Sequence, residues 1–300
     1  MPATAPNNAL NGEIKRRDSA SFVARFRRSN RAVYGFSFLV IIAAFSFLAP
    51  VIAPYAERDQ NPVRTQLAPM STSEIETYHL LGTDALGRDM LTRLMYGGRI
   101  SLIVGLTVVL VAGLIGVPLG LVSGYFGGFA DTLIMRLVDI TLALPFILMA
   151  IAIMAVLGTG LYNVIFVLAL SSWVGFARIV RGTVLSLREM PFIESARAVG
   201  MGNTRVVAAH VLPNVWTPIL VIATQGVGGA ILAESSLTFL GLGISPLIPT
   251  WGAMIADGRN YLTTAWWIST VPGVVLTFTV LSIYFLGDGL RDVLDPRLRM

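Results

Sequence analysis

The sequence contains no cysteine, which excludes disulfide bonds, thiolate metal sites and cysteine nucleophiles. Its only lysine is Lys15, which is followed by Arg16. A phosphate-binding loop of the form G-x-x-x-x-G-K-[ST] needs a lysine followed by serine or threonine, so no such loop is present. If ATP drives this protein, another chain must hydrolyse it.

Charged residues are scarce as well. They make up 13% of the 300 residues, against about 25% in ordinary soluble domains. Hydrophobic residues make up 55%, and the mean hydropathy is +0.73. This composition excludes a disordered chain and argues against an ordinary soluble domain. It is typical of a membrane protein.

Catalytic motifs are missing too. The only histidines are His79 and His210, and neither belongs to an H-E-x-x-H motif. A G-x-S-x-G motif is also absent. The sequence therefore predicts a non-catalytic chain with no catalytic residue, no metal site and no cofactor of its own. The net charge of +5 could indicate a nucleic-acid partner, but the positions of the charges favour another explanation.

Five long segments carry no charge, of 25, 31, 38, 28 and 28 residues. Such segments are required for membrane-spanning helices because a charge at the bilayer centre costs about 2.5–3.5 kcal/mol. The segment of 38 residues would extend about 57 Å as one helix, against a hydrocarbon core of about 30 Å. A turn at residues 158–160 divides it into two. The sequence predicts an all-α polytopic membrane protein with six transmembrane helices, at about 34–53, 99–123, 132–157, 161–180, 214–235 and 266–287.

The basic residues indicate the orientation. With six spans, 16 of the 22 arginine and lysine residues fall on the side that holds both termini. The positive-inside rule then places both termini in the cytoplasm, so the basic charge reports topology and no nucleic-acid partner is expected. The predicted organisation is a basic cytoplasmic tail at 1–32 and a transmembrane domain at 33–300. That domain includes an extracytoplasmic loop at 54–98 and a cytoplasmic loop at 181–213.

The cytoplasmic loop at 181–213, here called the coupling loop, predicts two short helices. Pro191 suits a helix start, and Glu194 near that start favours the helix dipole. Gly200 suits a left-handed C-terminal cap. Asn203 or Thr204 can cap a second helix, which ends at Pro213, where the chain turns into the fifth span. Small residues in the first helix allow close approach of another surface, so the loop is suited to docking a soluble partner.

This loop resembles the EAA motif of ATP-binding-cassette importer permeases, which reads Glu-Ala-Ala, three residues, Gly, nine residues, Ile-x-Leu-Pro. Serine replaces the first alanine, and histidine replaces isoleucine. In that family, the element docks in a groove of the ATPase subunit. The resemblance therefore implies a docking role for Glu194, Ser195, Ala196, Gly200, His210, Leu212 and Pro213.

The segment at residues 81–89, here called the signature segment, reads Leu-Gly-Thr-Asp-Ala-Leu-Gly-Arg-Asp. It resembles the Leu-Gly-Thr-Asp-x-x-Gly-Arg-Asp signature of dipeptide, oligopeptide and nickel permeases, of the second or C-type subunit. Its glycines provide turns, so a purely structural turn cluster is the alternative interpretation. The signature residues are Gly82, Thr83, Asp84, Gly87, Arg88 and Asp89.

The resemblance implies a type I importer permease fold and a defined set of partners. These are a second, related permease subunit, two cytoplasmic ATPase subunits that bind ATP and Mg²⁺, an extracytoplasmic solute-binding protein and the lipid bilayer. The implied function is ATP-driven import of di- or oligopeptides or similar small solutes across a bacterial cytoplasmic membrane. An ion-coupled secondary transporter is the alternative. Candidate pathway residues, for which helix–helix hydrogen bonding is the other interpretation, are Ser171, Ser172, Gln225, Ser235 and Ser236.

Overall fold

A computed structural model describes residues 22–73, 77–245 and 247–294. Most of the predicted basic tail, including Lys15, and the last six residues of the predicted permease domain lie outside this part of the chain. The all-α prediction is confirmed. The described residues add one short antiparallel hairpin, with β1 (Ser71–Thr72) paired to β2 (Tyr78–His79).

The helices follow in chain order and are numbered here for reference. They are α1 (Phe22–Arg28), α2 (Asn30–Phe47), α3 (Ala49–Ile52), α4 (Met90–Phe126), α5 (Gly128–Ala143), α6 (Phe146–Leu157), α7 (Leu161–Leu187), α8 (Pro191–Ala198), α9 (Asn203–Phe239), α10 (Trp251–Gly258) and α11 (Trp267–Leu294). Within this described part, α2, α4, α7, α9 and α11 are long and apolar enough to cross a bilayer. The pair α5 and α6 gives a sixth span if it crosses as one unit.

The third predicted span was wrong as a continuous helix. The chain bends by 90° between α5 and α6. Pro145 has no backbone N–H and excludes the helical conformation from the residue before it. Leu144 is accordingly extended, with φ −93° and ψ 124°. The prediction of a continuous span rested on the absence of charge and did not take Pro145 into account.

The predicted turn at Pro213 was also wrong. Helix α9 runs through that position without a break, so the second coupling-loop helix and the fifth span are one helix of 37 residues. A wider π-helical turn at Val207–Val211 precedes the proline, with the Leu212 N–H bonded to the Val207 carbonyl. We attribute the uninterrupted path to this turn, because proline cannot donate and its ring crowds the preceding turn of a regular α-helix.

Helix α4 connects the two segments of functional interest. Its 37 residues extend about 55 Å, well beyond the bilayer core of about 30 Å. It begins directly after the signature segment, rather than at residue 99 as predicted, and it ends beside the coupling loop. A stripe of glycines packs its second half against the α7 backbone. A Cβ at Gly116, Gly120 or Gly124 would lie 2.3–2.9 Å from an α7 carbonyl oxygen.

The outer faces of the spans are apolar. On α4, Leu106, Leu110 and Leu114 follow each other at intervals of four residues, and each is more than half exposed. An exposed stripe of this kind on a helix is expected where lipid or another apolar span covers it. The arrangement agrees with the predicted membrane location.

Candidate functional sites at the two ends of helix α4

Helix α8 in the coupling loop is attached through one side only. Ile193 is fully buried and joins the apolar cluster beneath the loop, and Ala196 packs against the same cluster. Phe192 in α8 and Val199, the C-cap residue that follows it, are 44% and 88% exposed. Glu194 and Ser195 are also exposed. Helix α8 therefore presents small, apolar and acidic side chains to the outside while its buried side holds it in place.

Gly200 ends this part of the loop as predicted. Its φ is +84°, a conformation that side chains other than glycine rarely adopt. The N–H of Gly200 bonds to the Arg197 carbonyl at 2.9 Å, and the N–H of Met201 bonds to the Ala196 carbonyl at 3.1 Å. These two bonds form a Schellman motif, which ends the helix and turns the chain away from its axis.

The predicted cap of the second helix was wrong. Gly202 is the N-cap residue, and no side chain caps that end. Asn203 is instead the first helical residue, and its Oδ1 accepts a hydrogen bond from the Tyr125 hydroxyl at 3.1 Å. The side chain expected to cap its own helix therefore bonds to α4.

The remaining motif residues lie in the first turns of α9. His210 is half-buried, and Val211 beside it is fully buried in the cluster that holds Ile193. Val211 thus provides an apolar contact directly beside the motif position that histidine occupies. Leu212 packs against the same cluster, whereas Pro213 is exposed.

In the signature segment, Asp84 is the centre of a buried ionic network. Its Oδ1 accepts from the backbone N–H groups of Leu86 and Arg88, at 2.8 and 2.9 Å. Its Oδ2 accepts from Arg88 Nε and Arg93 Nη1, both at 2.6 Å. The same two arginines reach Asp257 Oδ2 at 3.4 and 3.0 Å. This network joins the signature segment to α4 and α10.

The backbone of the signature segment is tightly enclosed. The Thr83 hydroxyl donates to the Arg64 carbonyl and accepts from the Leu67 N–H at 2.8 Å. Gly82 and Gly87 have φ of +77° and +72°. A Cβ at Gly82 would lie 2.4 Å from the Leu67 carbonyl oxygen, so a side chain cannot be accommodated there. A structural role for both glycines follows from this geometry.

Asp89 caps the start of α4. Its Oδ2 accepts from the Thr92 N–H at 2.8 Å, and its Oδ1 lies 2.9 Å from His79 Nδ1. Tyr55 stacks on the imidazole with ring centroids 4.7 Å apart, and its hydroxyl donates to the Tyr78 carbonyl. Burial, together with the nearby Asp89 carboxylate, raises the pKa of the Tyr55 phenol.

The candidate pathway residues do not converge. Ser171 and Ser172 line a mainly apolar cavity of about 320 Å³ bounded by α4, α6, α7 and α9. Gln225 turns away from this cavity and donates to Asp288 Oδ1 on α11 at 3.1 Å. The other two side chains bond within α9, with Ser235 donating to Glu234 Oε2 at 3.4 Å and Ser236 to the Leu232 carbonyl at 2.8 Å. Ser171 also donates to the Leu168 carbonyl within α7, at 3.0 Å, so helix–helix or intrahelical bonding describes four of the five.

Sequence reasoning missed three side chains that the structure places at these sites. Arg93 and Asp257 complete the Asp84 network, and Asp257 lies 164 positions from Arg93 in the chain. Tyr125 contacts the coupling loop although it belongs to α4. Among the described residues, no group of three or more histidine, aspartate or glutamate side chains is placed to hold a metal ion.

Comparison with known proteins adds independent information. The family model described as binding-protein-dependent transport system inner membrane component matches residues 116–300. The model of the N-terminal transmembrane domain of oligopeptide transport permease C matches residues 20–69. Together, these matches cover the coupling loop and the first span.

Relatives match over nearly the whole chain. The di/tripeptide transport system permease protein DppC of Pseudomonas aeruginosa is 39% identical, over 99% of this chain and 97% of the relative. The glutathione transport system permease protein GsiD of Pectobacterium atrosepticum is 40% identical, over 100% and 97%.

A solved structure supports the fold. The inward-facing MetNI methionine ABC transporter matches with a TM-score of 0.56, at 22% identity, over 69% of this chain and 98% of that chain. The importer-permease fold predicted from the sequence is thus confirmed. The chain belongs to the family of inner membrane components of binding-protein-dependent transport systems.

Proposed function

We propose that this chain is the transmembrane permease subunit of an ATP-driven importer for di- or tripeptides or similar small solutes. The observation that carries the proposal is the exposed side of α8, with its apolar Phe192 and Val199, at the end of the bundle opposite the signature segment. Exposed apolar side chains at this position mark a contact with a protein or with the membrane surface. The match of the coupling loop to the EAA pattern favours an ATPase as the partner. The names of the relatives favour peptides and glutathione as the solute class.

The proposal assigns the other components to separate chains. A second permease subunit completes the pathway, two ATPase subunits bind ATP and Mg²⁺ and dock on α8, and a binding protein delivers the solute. This chain contributes no catalytic group, and both termini and the coupling loop face the cytoplasm. ATP binding closes the ATPases, and the coupling loop passes that movement to α4, α7 and α9. An ion-coupled secondary transporter finds no support in the family or in its relatives.

Reconstitution tests the proposal. The complex of both permease subunits and the ATPases is placed in proteoliposomes with the binding protein and a labelled dipeptide. Uptake is measured with active ATPases, with hydrolysis-dead ATPases, and with an ionophore that removes ion gradients. We expect uptake only with active ATPases and no effect of the ionophore. Uptake that persists without hydrolysis, or that the ionophore abolishes, would contradict the proposal.

A further inference from the structure

Three consecutive residues at the end of α4 each contact a different part of the coupling loop and its neighbours. Ser123 donates to Asp131 on α5, whose carboxylate is held in a bidentate pair by Arg181 of α7 at 2.6 and 2.7 Å. The Gly124 carbonyl accepts from Arg188, just after α7, at 3.4 Å. Tyr125 contacts both α8 and α9. The end of α4 therefore contacts α5, α8, α9 and the residue after α7.

Tyr125 makes the most specific of these contacts. Its side chain is buried, and the Arg197 guanidinium lies over its ring at 4.9 Å from the centroid. Arg197 Nε donates to the tyrosine hydroxyl at 3.3 Å. The hydroxyl in turn donates to Asn203 Oδ1 at 3.1 Å. One hydroxyl group thus bridges the last turn of α8 and the first turn of α9, accepting from one and donating to the other.

Between these two contacts, the Met201 side chain packs against the same apolar cluster as Ile193. A Cβ built at Gly200 or at Gly202 meets no atom within 4 Å, so the elbow between α8 and α9 is open on that side. Helix α8 itself is anchored by Ile193 and Ala196, which lie on one face. Apolar contacts of this kind are non-directional. A directional contact elsewhere on α8 is needed to fix its angle to the spans.

We propose that Tyr125 is a positioning residue for energy coupling. Its hydroxyl holds α8 and the start of α9 at a fixed geometry to α4, so that a displacement of α8 moves both spans together. This inference rests on the proposed function and names the residue through which the coupling loop acts. Because α4 runs from Tyr125 to the Asp89 cap, the displacement reaches the signature segment at its other end.

The sharpest variant is Tyr125→Phe. It keeps the ring, its burial and the guanidinium above it, and removes only the hydroxyl and its two hydrogen bonds. Asn203→Ala removes only the hydrogen bond between Asn203 and the Tyr125 hydroxyl. Because Asn203 is exposed, this substitution does not change a buried side chain. The matched control is Tyr162→Phe, a tyrosine that is 84% exposed near the start of α7.

The measurement is the amount of solute taken up per ATP hydrolysed, by the assembled complex in proteoliposomes, alongside its thermal stability. We expect Tyr125→Phe to hydrolyse ATP at close to the wild-type rate while uptake per ATP falls by roughly twofold to tenfold. This is the factor equivalent to about 0.5–1.5 kcal/mol for a hydrogen bond. Asn203→Ala should show a similar loss, and the double variant should lose no more than Tyr125→Phe alone. Tyr162→Phe should behave as wild type.

The outcomes separate the two proposals. Normal uptake per ATP in Tyr125→Phe, with working wild-type transport, would overturn this inference alone. If hydrolysis and uptake fall together in an assembled complex, so that uptake per ATP is unchanged, the role of Tyr125 is merely structural and the inference is overturned too. If Tyr125→Phe does not assemble, Asn203→Ala decides in the same way. A wild-type complex without ATP-dependent uptake would instead overturn the proposed function, and this inference with it.

Discussion

Replacement of Asp84 by asparagine tests the structural account of the signature segment. The Asp84 side chain is 2% exposed and accepts four hydrogen bonds, two of them from Arg88 and Arg93 at 2.6 Å. An asparagine in the same position turns an NH₂ group toward both guanidinium groups, or loses the two backbone N–H bonds if it rotates. Arg93, also 2% exposed, would then keep only Asp257, at 3.0 Å.

The size of the stability loss expected for Asp84→Asn follows from the burial of Asp84 and Arg93. Removing one partner of a buried ion pair costs about 3–5 kcal/mol because the other charge cannot be rehydrated. For a domain of this size, 1 kcal/mol shifts the melting temperature by about 2–4 °C, so the lower limit corresponds to roughly 6–12 °C. Asp257→Asn should cost about 1 kcal/mol, because Asp257 is 39% exposed and water can replace the lost contact.

Thermal unfolding of the purified chain in detergent micelles measures these differences. Glu189→Gln serves as a neutral control, since Glu189 is 72% exposed and lies 3.7 Å from Arg188. We expect the loss of stability to be largest for Asp84→Asn, smaller for Asp257→Asn and negligible for Glu189→Gln. An Asp84→Asn variant that melts no earlier than Asp257→Asn would refute the argument from burial.

Two further predictions concern glycines. Gly200→Val should lower uptake per ATP in proteoliposomes, because φ +84° costs a side chain about 1–2 kcal/mol, whereas Gly202→Val, at φ −62°, should leave the ratio unchanged. Equal effects of the two would contradict the role assigned to the Schellman motif. Gly120→Ala should lower the melting temperature by an amount equivalent to about 1–3 kcal/mol, since its Cβ would lie 2.6 Å from the Ala177 carbonyl oxygen. Gly182→Ala has open space and should melt at or slightly above the wild-type temperature, so a stable Gly120→Ala would contradict the close packing of α4 on α7.

The sequence predicted the features that depend on neighbouring residues. Uncharged segments located the spans because a charge is costly in lipid wherever the rest of the chain lies. Gly200 was predicted to end α8 because a left-handed cap depends on its own φ. Predictions from local sequence were wrong where two local features favoured different structures. At Leu144–Pro145, the proline bend prevailed over continuous hydrophobicity, and at Pro213 the π-helical turn allowed the helix to continue.

Contacts between residues that are far apart in the chain could not be predicted from the sequence. Asp84 was expected in a turn, and it does bond to its own loop, but its pairing with Arg93 and the link to Asp257 depend on how α10 packs. The hydrogen bond from Tyr125 to Asn203 joins residues 78 positions apart. The Asn203 side chain, which was predicted to cap its own helix, accepts this bond instead. Motifs therefore indicated which segments carry function, while the contacts within them required the fold.

Cysteine cross-linking at α8 tests the central claim most directly. The chain has no cysteine, so Val199→Cys introduces a single thiol at a position that is 88% exposed on the proposed docking face. Ser71→Cys, on the hairpin next to the signature segment, is the matched control. In the assembled transporter, we predict that the thiol at 199 cross-links to an ATPase subunit and is shielded from a maleimide reagent, whereas the thiol at 71 does neither. A thiol at 199 that stays reactive and never cross-links to the ATPase would contradict the account.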